Sequence, residues 1–125
     1  MDYIFEIIDN SREGLSYKEF NEVKSKLNLT NEDWCNVLNI SERTLQRYHK
    51  EQKSFDSLQS EKIYQIAILF DFGVSVFGAE EKFLSWLDRE NIPLGKVKPK
   101  SLFDTGFGIN LVETELNRIE HGILA

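Results

Sequence analysis

Two patches of helical periodicity separated by a corner occupy residues 30–50, TNEDWCNVLNISERTLQRYHK. Trp34, Leu38, Leu45 and Tyr48 fall where the inward residues of two crossed short helices fall, and small Cys35 sits where the second helix crosses closest. Thr30 and Asp33 form a capping box, in which the hydroxyl accepts an orphan amide of the first turn and the carboxylate reaches back, so a helix starts there. Asn39 stands at the corner, a position that needs φ > 0; Gly meets this best, and Asn is next among residues with a side chain. Ile40 plugs the corner and Ser41 caps the second helix. Its outward positions are Glu42, Arg43, Gln46, Arg47 and Lys50, long polar side chains of the kind that reach base edges and phosphates in a major groove. An ordinary helical hairpin with a solvated second helix would also place Arg43 and Arg47 one turn apart. The agreement of turn residue, small residue and apolar slots favours a DNA-reading helix-turn-helix.

The same periodicity extends along the chain. Tyr3, Ile4, Phe5, Ile7 and Ile8 make the first nine residues a short apolar helix that needs cover, from its own domain or from a second copy, and Gly14 ends that segment. Ser16 with Glu19 is a second capping box, opening a helix whose apolar positions are Phe20, Val23 and Leu27, with Leu29 past its end. Polar residues 51–57 read as a loop. A strongly apolar run from Leu58 follows, and residues 60–72 are predicted to be a buried helix capped by Gly73. A first domain closes there, at 1–73, leaving 74–125 as a second.

In that second part Phe77, Phe83, Trp86 and Leu87 lie at helical spacing, so residues 79–90 are predicted to be an amphipathic helix, with Trp86 assigned to the core. Residues 91–95 break it. Lys96, Lys98 and Lys100 then mark a basic loop, and residues 100–104 are predicted to form one helical turn behind Pro99. Gly106-Phe107-Gly108 reads as a turn. Leu111, Val112, Glu115, Leu116 and Ile119 complete a last helix, ended by Gly122, with Ile123, Leu124 and Ala125 as a short apolar tail. The fold class is all-α, since no strand alternation and no internal repeat stands out.

Charge narrows the function. A net charge of −6 over 125 residues excludes indiscriminate binding to nucleic acid. Within residues 41–53, however, four cations face two carboxylates, a net of +2 that coincides with the reading helix. So few cations on one copy imply weak binding by a monomer, and a homodimer over two half-sites is expected. The acidic first residues are unlike a secretory signal, and no apolar run approaches the roughly 20 residues that span a bilayer. A cytoplasmic protein without membrane contact is expected. Cys35, the single cysteine, cannot form an internal disulfide, and with only His49 and His121 besides there is no metal set. No catalytic grouping is recognisable by spacing, and no cofactor is expected: Gly106-Phe107-Gly108 is only a fragment of a phosphate-loop pattern.

Two sets of residues together resemble the Xre/MbcA/ParS antitoxins of bacterial type II toxin–antitoxin modules, over roughly residues 14–122. In the first half these are Gly14-Leu15, Ile40-Ser41-x-Arg43-Thr44-Leu45-x-Arg47 and Ser60-Glu61-Lys62-Ile63. The second half adds Val76-Phe77-Gly78, Trp86-Leu87, Asn91-Ile92-Pro93-Leu94-Gly95, Pro99, Leu102, Thr105-x-x-Gly108 and Leu116-x-Arg118-Ile119-x-x-Gly122. Lys62 stands where the family often has Arg. The resemblance implies an N-terminal Xre-like domain that binds the operon's own promoter, and a C-terminal domain that neutralises a toxin of the NAD-depleting RES class. The alternative is a plain dimeric helix-turn-helix regulator whose C-terminal domain senses a small molecule or only dimerises.

Site residues follow from both lines. Arg43, Gln46 and Arg47 are expected to read bases, and Ser41, Thr44 and Lys50 to hold phosphates. Toxin contacts are expected from Lys96, Lys98, Lys100, Arg118, His121 and the tail Ile123, Leu124 and Ala125. Arg118 is a candidate because its guanidinium offers a planar fork of donors; a salt bridge within the domain, to Glu115 or Glu120, is the competing expectation.

Overall fold

The computed structural model describes residues 2–122, and among them every regular element is helical. Seven α-helices follow in order: α1 Asp2–Glu13, α2 Tyr17–Lys26, α3 Asn31–Leu38, α4 Glu42–Glu51, α5 Ser57–Phe77, α6 Glu80–Leu87 and α7 Gly106–Glu120. Short 3₁₀ helices at Ile92–Leu94 and Pro99–Asp104 lie between α6 and α7. The chain divides into two compact units, Met1–Ala67 and Ile68–Ala125. No single helix among the described residues is long and apolar enough to cross a membrane.

The first unit is built around aromatic rings from α2, α3 and the α4–α5 connection. Phe20 meets Trp34 edge-on at 5.1 Å and Phe55 at 4.9 Å, and both Phe20 and Trp34 are fully buried. Both predicted capping boxes are present: Ser16 accepts from the Glu19 amide while Glu19 accepts from the Ser16 amide, and Thr30 and Asp33 do the same. Gly14 lies at φ 90° with its Cα so close to Phe55 that a Cβ would stand 2.5 Å from that residue's carbonyl oxygen. This close approach allows the Phe55 amide to donate to the Leu15 carbonyl at 2.8 Å, and the Leu15 amide to donate to the buried Ser60 hydroxyl at 2.8 Å. The start of α2 is thereby tied to the start of α5. Lys62, from α5, donates to the Val37 carbonyl at 3.0 Å, placing a cation on the C-terminal end of α3, where orphan carbonyls and the helix dipole favour it.

Helix α5 departs from expectation at both ends. It begins at Ser57 because Asp56 and Gln59 make a reciprocal cap: each side chain accepts from the other's amide. At the other end Gly73 does not terminate it. The helix runs to Phe77, and Gly78 at φ 77° ends it instead. Gly73 serves a packing role, since a Cβ there would overlap the Phe83 ring.

Phe83 is the centre of the second unit. It is fully buried, meets Phe70 edge-on at 5.2 Å, and stacks on Phe77 and Trp86 at 6.0 and 6.1 Å. Trp86 is 8% exposed and belongs to the core, as expected. Gly106-Phe107-Gly108 is not a turn but the first turn of α7, capped by Thr105, whose hydroxyl accepts from the Gly108 amide at 2.9 Å. Gly108 has to be small because a Cβ would overlap the Leu102 carbonyl. Ile109, Val112 and Leu116 then carry the buried face of α7, joined by Leu94 and Phe103 from the 3₁₀ segments.

Candidate nucleic-acid and toxin interfaces

The corner between α3 and α4 is a helix-turn-helix in its backbone. Asn39 takes the left-handed conformation, φ 56° and ψ 45°, and the Ile40 amide closes the end of α3 by donating to the Cys35 carbonyl at 3.1 Å. Trp34, Cys35, Leu38 and Leu45 are buried at the crossing, as the spacing requires, while Tyr48 is half-buried and leans on Phe55 at 5.2 Å. Burial pushes the Cys35 thiol up from its ordinary range, and the Glu42 carboxylate adds to this, so the thiol is kept neutral.

Helix α4 presents its polar face openly. Arg43, Gln46, Arg47 and Lys50 are all exposed, and none has a side-chain hydrogen bond or ion pair among the described residues. The four side chains lie on consecutive turns of one helix, at spacings that keep them on neighbouring faces. Ser41 is partly committed to structure: its oxygen accepts from the Thr44 amide at 3.1 Å and its hydroxyl donates to the Thr44 hydroxyl oxygen at 3.0 Å. The Thr44 hydroxyl hydrogen is therefore the better placed of the two for a phosphate. On the flank facing α2, Gln46 and His49 border a shallow notch with Tyr17, Lys24, Asn31, Glu42 and Leu45, and His49 stacks flat on Tyr17 at 4.8 Å. His49 thereby fixes the last turn of α4 against the first unit's core, a contact that no local pattern signals.

The expected toxin contacts do not form one open patch. Lys98 and Lys100 both reach Asp88, at 3.3 and 3.0 Å, and hydrogen bonds from Lys100 and then Lys98 hold the Asp88 carboxyl below its usual range. Of the three loop lysines only Lys96 is without an ion pair among the described residues; its backbone takes φ 63° beside an antiparallel bridge of Asn91 to Val97. Arg118 donates to Glu115 at 2.7 Å, so the competing salt-bridge expectation holds, and Glu115 is 5% exposed. His121 lies 2.7 Å through Nδ1 from the Asn117 carbonyl. Ile123, Leu124 and Ala125 lie outside the described residues.

Sequence reasoning passed over another feature of this unit. Phe107, expected in a turn, is 91% exposed, and Leu111, expected among the apolar positions of the last helix, is 48% exposed. The signal was their spacing of four, set against the buried positions Ile109, Val112 and Leu116.

Comparison with known proteins gives two matches, one on each half of the chain. Residues 6–67 match the antitoxin Xre-like helix-turn-helix domain, and residues 73–122 match the antitoxin Xre/MbcA/ParS C-terminal toxin-binding domain. The chain is also similar to an antitoxin Xre of Photorhabdus laumondii subsp. laumondii, with 28% identity over 114 residues that make up 90% of this chain and 77% of the relative. Motifs on both halves, a helix-turn-helix with an open cationic face, and two adjoining domain matches converge: the chain belongs to the Xre/MbcA/ParS family of antitoxins.

Proposed function

We propose that this antitoxin holds a RES-type, NAD-depleting toxin inactive through residues 74–125, and represses its own operon by reading the promoter with α4. The observation that carries the reading is the pairing, in one chain, of a toxin-binding domain match with a helix-turn-helix whose cations point outward. Arg43, Gln46 and Arg47 read bases, while Ser41, Thr44 and Lys50 position the backbone. The RES class is what the family resemblance implies, and the cytoplasm is where an operator and such a toxin are both found. Lys96, Lys98, Lys100, Arg118, His121 and the tail residues 123–125 are assigned to the periphery of the toxin contact.

The test is co-expression with the reading frame adjacent to this gene. That frame expressed alone is expected to lower cellular NAD and stop growth, and the full chain supplied with it is expected to restore both. Unchanged NAD in the first arm would remove the RES assignment, and failure of rescue in the second would remove neutralisation. Full-length variants suit this better than fragments, because the proposed boundary at 73/74 lies inside α5.

A homodimer completes the reading. Tyr3, Ile4, Phe5 and Ile8 of α1 are 67, 47, 62 and 37% exposed, an apolar face of a kind that oligomer interfaces usually cover. A second copy is the occupant that would also double the phosphate contacts of an acidic chain. Sedimentation of the wild type is expected to give a dimer, and Phe5→Glu with Ile8→Glu a monomer; a wild type that sediments as a monomer at working concentration rules the dimer out.

A further inference from the structure

Helix α7 has two faces. Gly108, Ile109, Val112, Glu115 and Leu116 are buried within the second unit, while Phe107, Leu111 and Thr114 are exposed on a face flanking the buried one, with half-buried Arg118 one turn further along. At 100° per residue these last four positions fall within about 60° of arc, a single stripe along the helix. Its chemistry is graded. An almost fully exposed aromatic ring and a leucine occupy the first two turns, and a guanidinium stands at the far end, steadied by the buried Glu115 carboxylate.

We propose that this stripe, with Phe107 and Leu111 as its apolar anchors, is the ridge that α7 lays into an apolar groove of the toxin, and that Arg118 meets acceptors at the groove's edge. The inference rests on the reading of residues 74–125 as the toxin-binding part. Three observations choose the occupant. The domain that carries the stripe is matched as toxin-binding. The charged residues first expected to make the contact are mostly engaged inside the domain, Lys98 and Lys100 with Asp88 and Arg118 with Glu115. Exposed apolar side chains at i and i+4 on a helix whose other face is already packed are the anchors of helix-in-groove recognition, and a large aromatic is the residue type that most often dominates such contacts.

The stripe is also separable from the tail. Phe107 lies in the first turn of a 15-residue helix, so it stands about 20 Å along the axis from Glu120 at the helix's last residue, at 1.5 Å per residue. The two contacts therefore need not coincide on the toxin.

The experiment uses the full-length chain and the purified product of the adjacent reading frame, with affinity measured by titration calorimetry. Phe107→Gln with Leu111→Gln keeps helix-favouring residues on an exposed face, so thermal melting and binding to the promoter fragment are expected to stay at wild-type values. Affinity for the toxin is expected to fall at least about 30-fold. Wild-type affinity in the double variant would overturn the inference while leaving toxin binding intact. A wild-type chain that does not bind this product at all would overturn the underlying reading, and the inference with it. Conversion of the unliganded chain from dimer to monomer by the double substitution, with toxin affinity unchanged, would assign the stripe to a second copy instead.

Discussion

Arg43→Ala is expected to cost the antitoxin most of its preference for its own promoter over unrelated DNA of equal length. A bidentate contact from arginine to guanine contributes about 1–3 kcal/mol of discrimination. In the proposed dimer on a two-fold operator the contact is lost twice, which gives about 2–6 kcal/mol, or about 30-fold to about 10⁴-fold in affinity. The structure makes Arg43 the position to test because it is exposed in the first turn of α4, immediately after the Ser41 cap, where a recognition helix points into the groove. Lys50→Ala supplies the contrast: at the far end of α4 it is expected to weaken all sequences alike and to reduce the dependence on salt. Fluorescence anisotropy on promoter and scrambled duplexes at several salt concentrations separates the two. Arg43→Ala that binds promoter as tightly as wild type would remove it from base reading, and an equal loss on both duplexes would make it a phosphate contact.

Gly73→Val is expected to destabilise the chain by about 3 kcal/mol, the upper part of the range for forcing extra carbon into a packed core. On helix propensity alone the sign would be the reverse, because a glycine inside a helix costs about 1 kcal/mol relative to alanine. Packing overrides propensity here. Any Cβ at this position overlaps the Phe83 ring, and that ring is held by Phe70, Phe77 and Trp86 with no exposed edge to move into. Chemical denaturation of Gly73→Val and of Gly73→Val with Phe83→Leu checks the cause. The smaller partner is expected to recover part of the loss, since residues in contact do not behave additively. A valine variant as stable as wild type would show that the ring contact is not what selects glycine.

The legible part of this protein was local. Capping boxes at Ser16 and Thr30, the left-handed corner at Asn39 and the cap at Ser41 are decided by a side chain and an amide within about one turn, so residues adjacent in the chain contain the whole cause. The same holds for the outward face of α4, whose cations repeat at the helical period. The Asp56–Gln59 cap was equally local, and only the polar composition around it disguised the start of α5 as loop.

What the sequence by itself determined is therefore the set of helices, their ends where a cap is present, the open cationic face of α4 and, through its motifs, the family. Tertiary structure alone decided which glycines end helices and which make room for neighbours. Gly73 and Gly78 look alike in sequence, but one faces the Phe83 ring and the other takes a positive φ. It also decided which charges are engaged, since Lys98 and Lys100 find Asp88 across a loop and Lys62 finds the Val37 carbonyl 25 residues away in sequence. Phe107 was left in solvent for the same reason. Periodicity marks a residue as apolar and assigns it a face of its helix, but only the packed neighbours determine whether that face is covered.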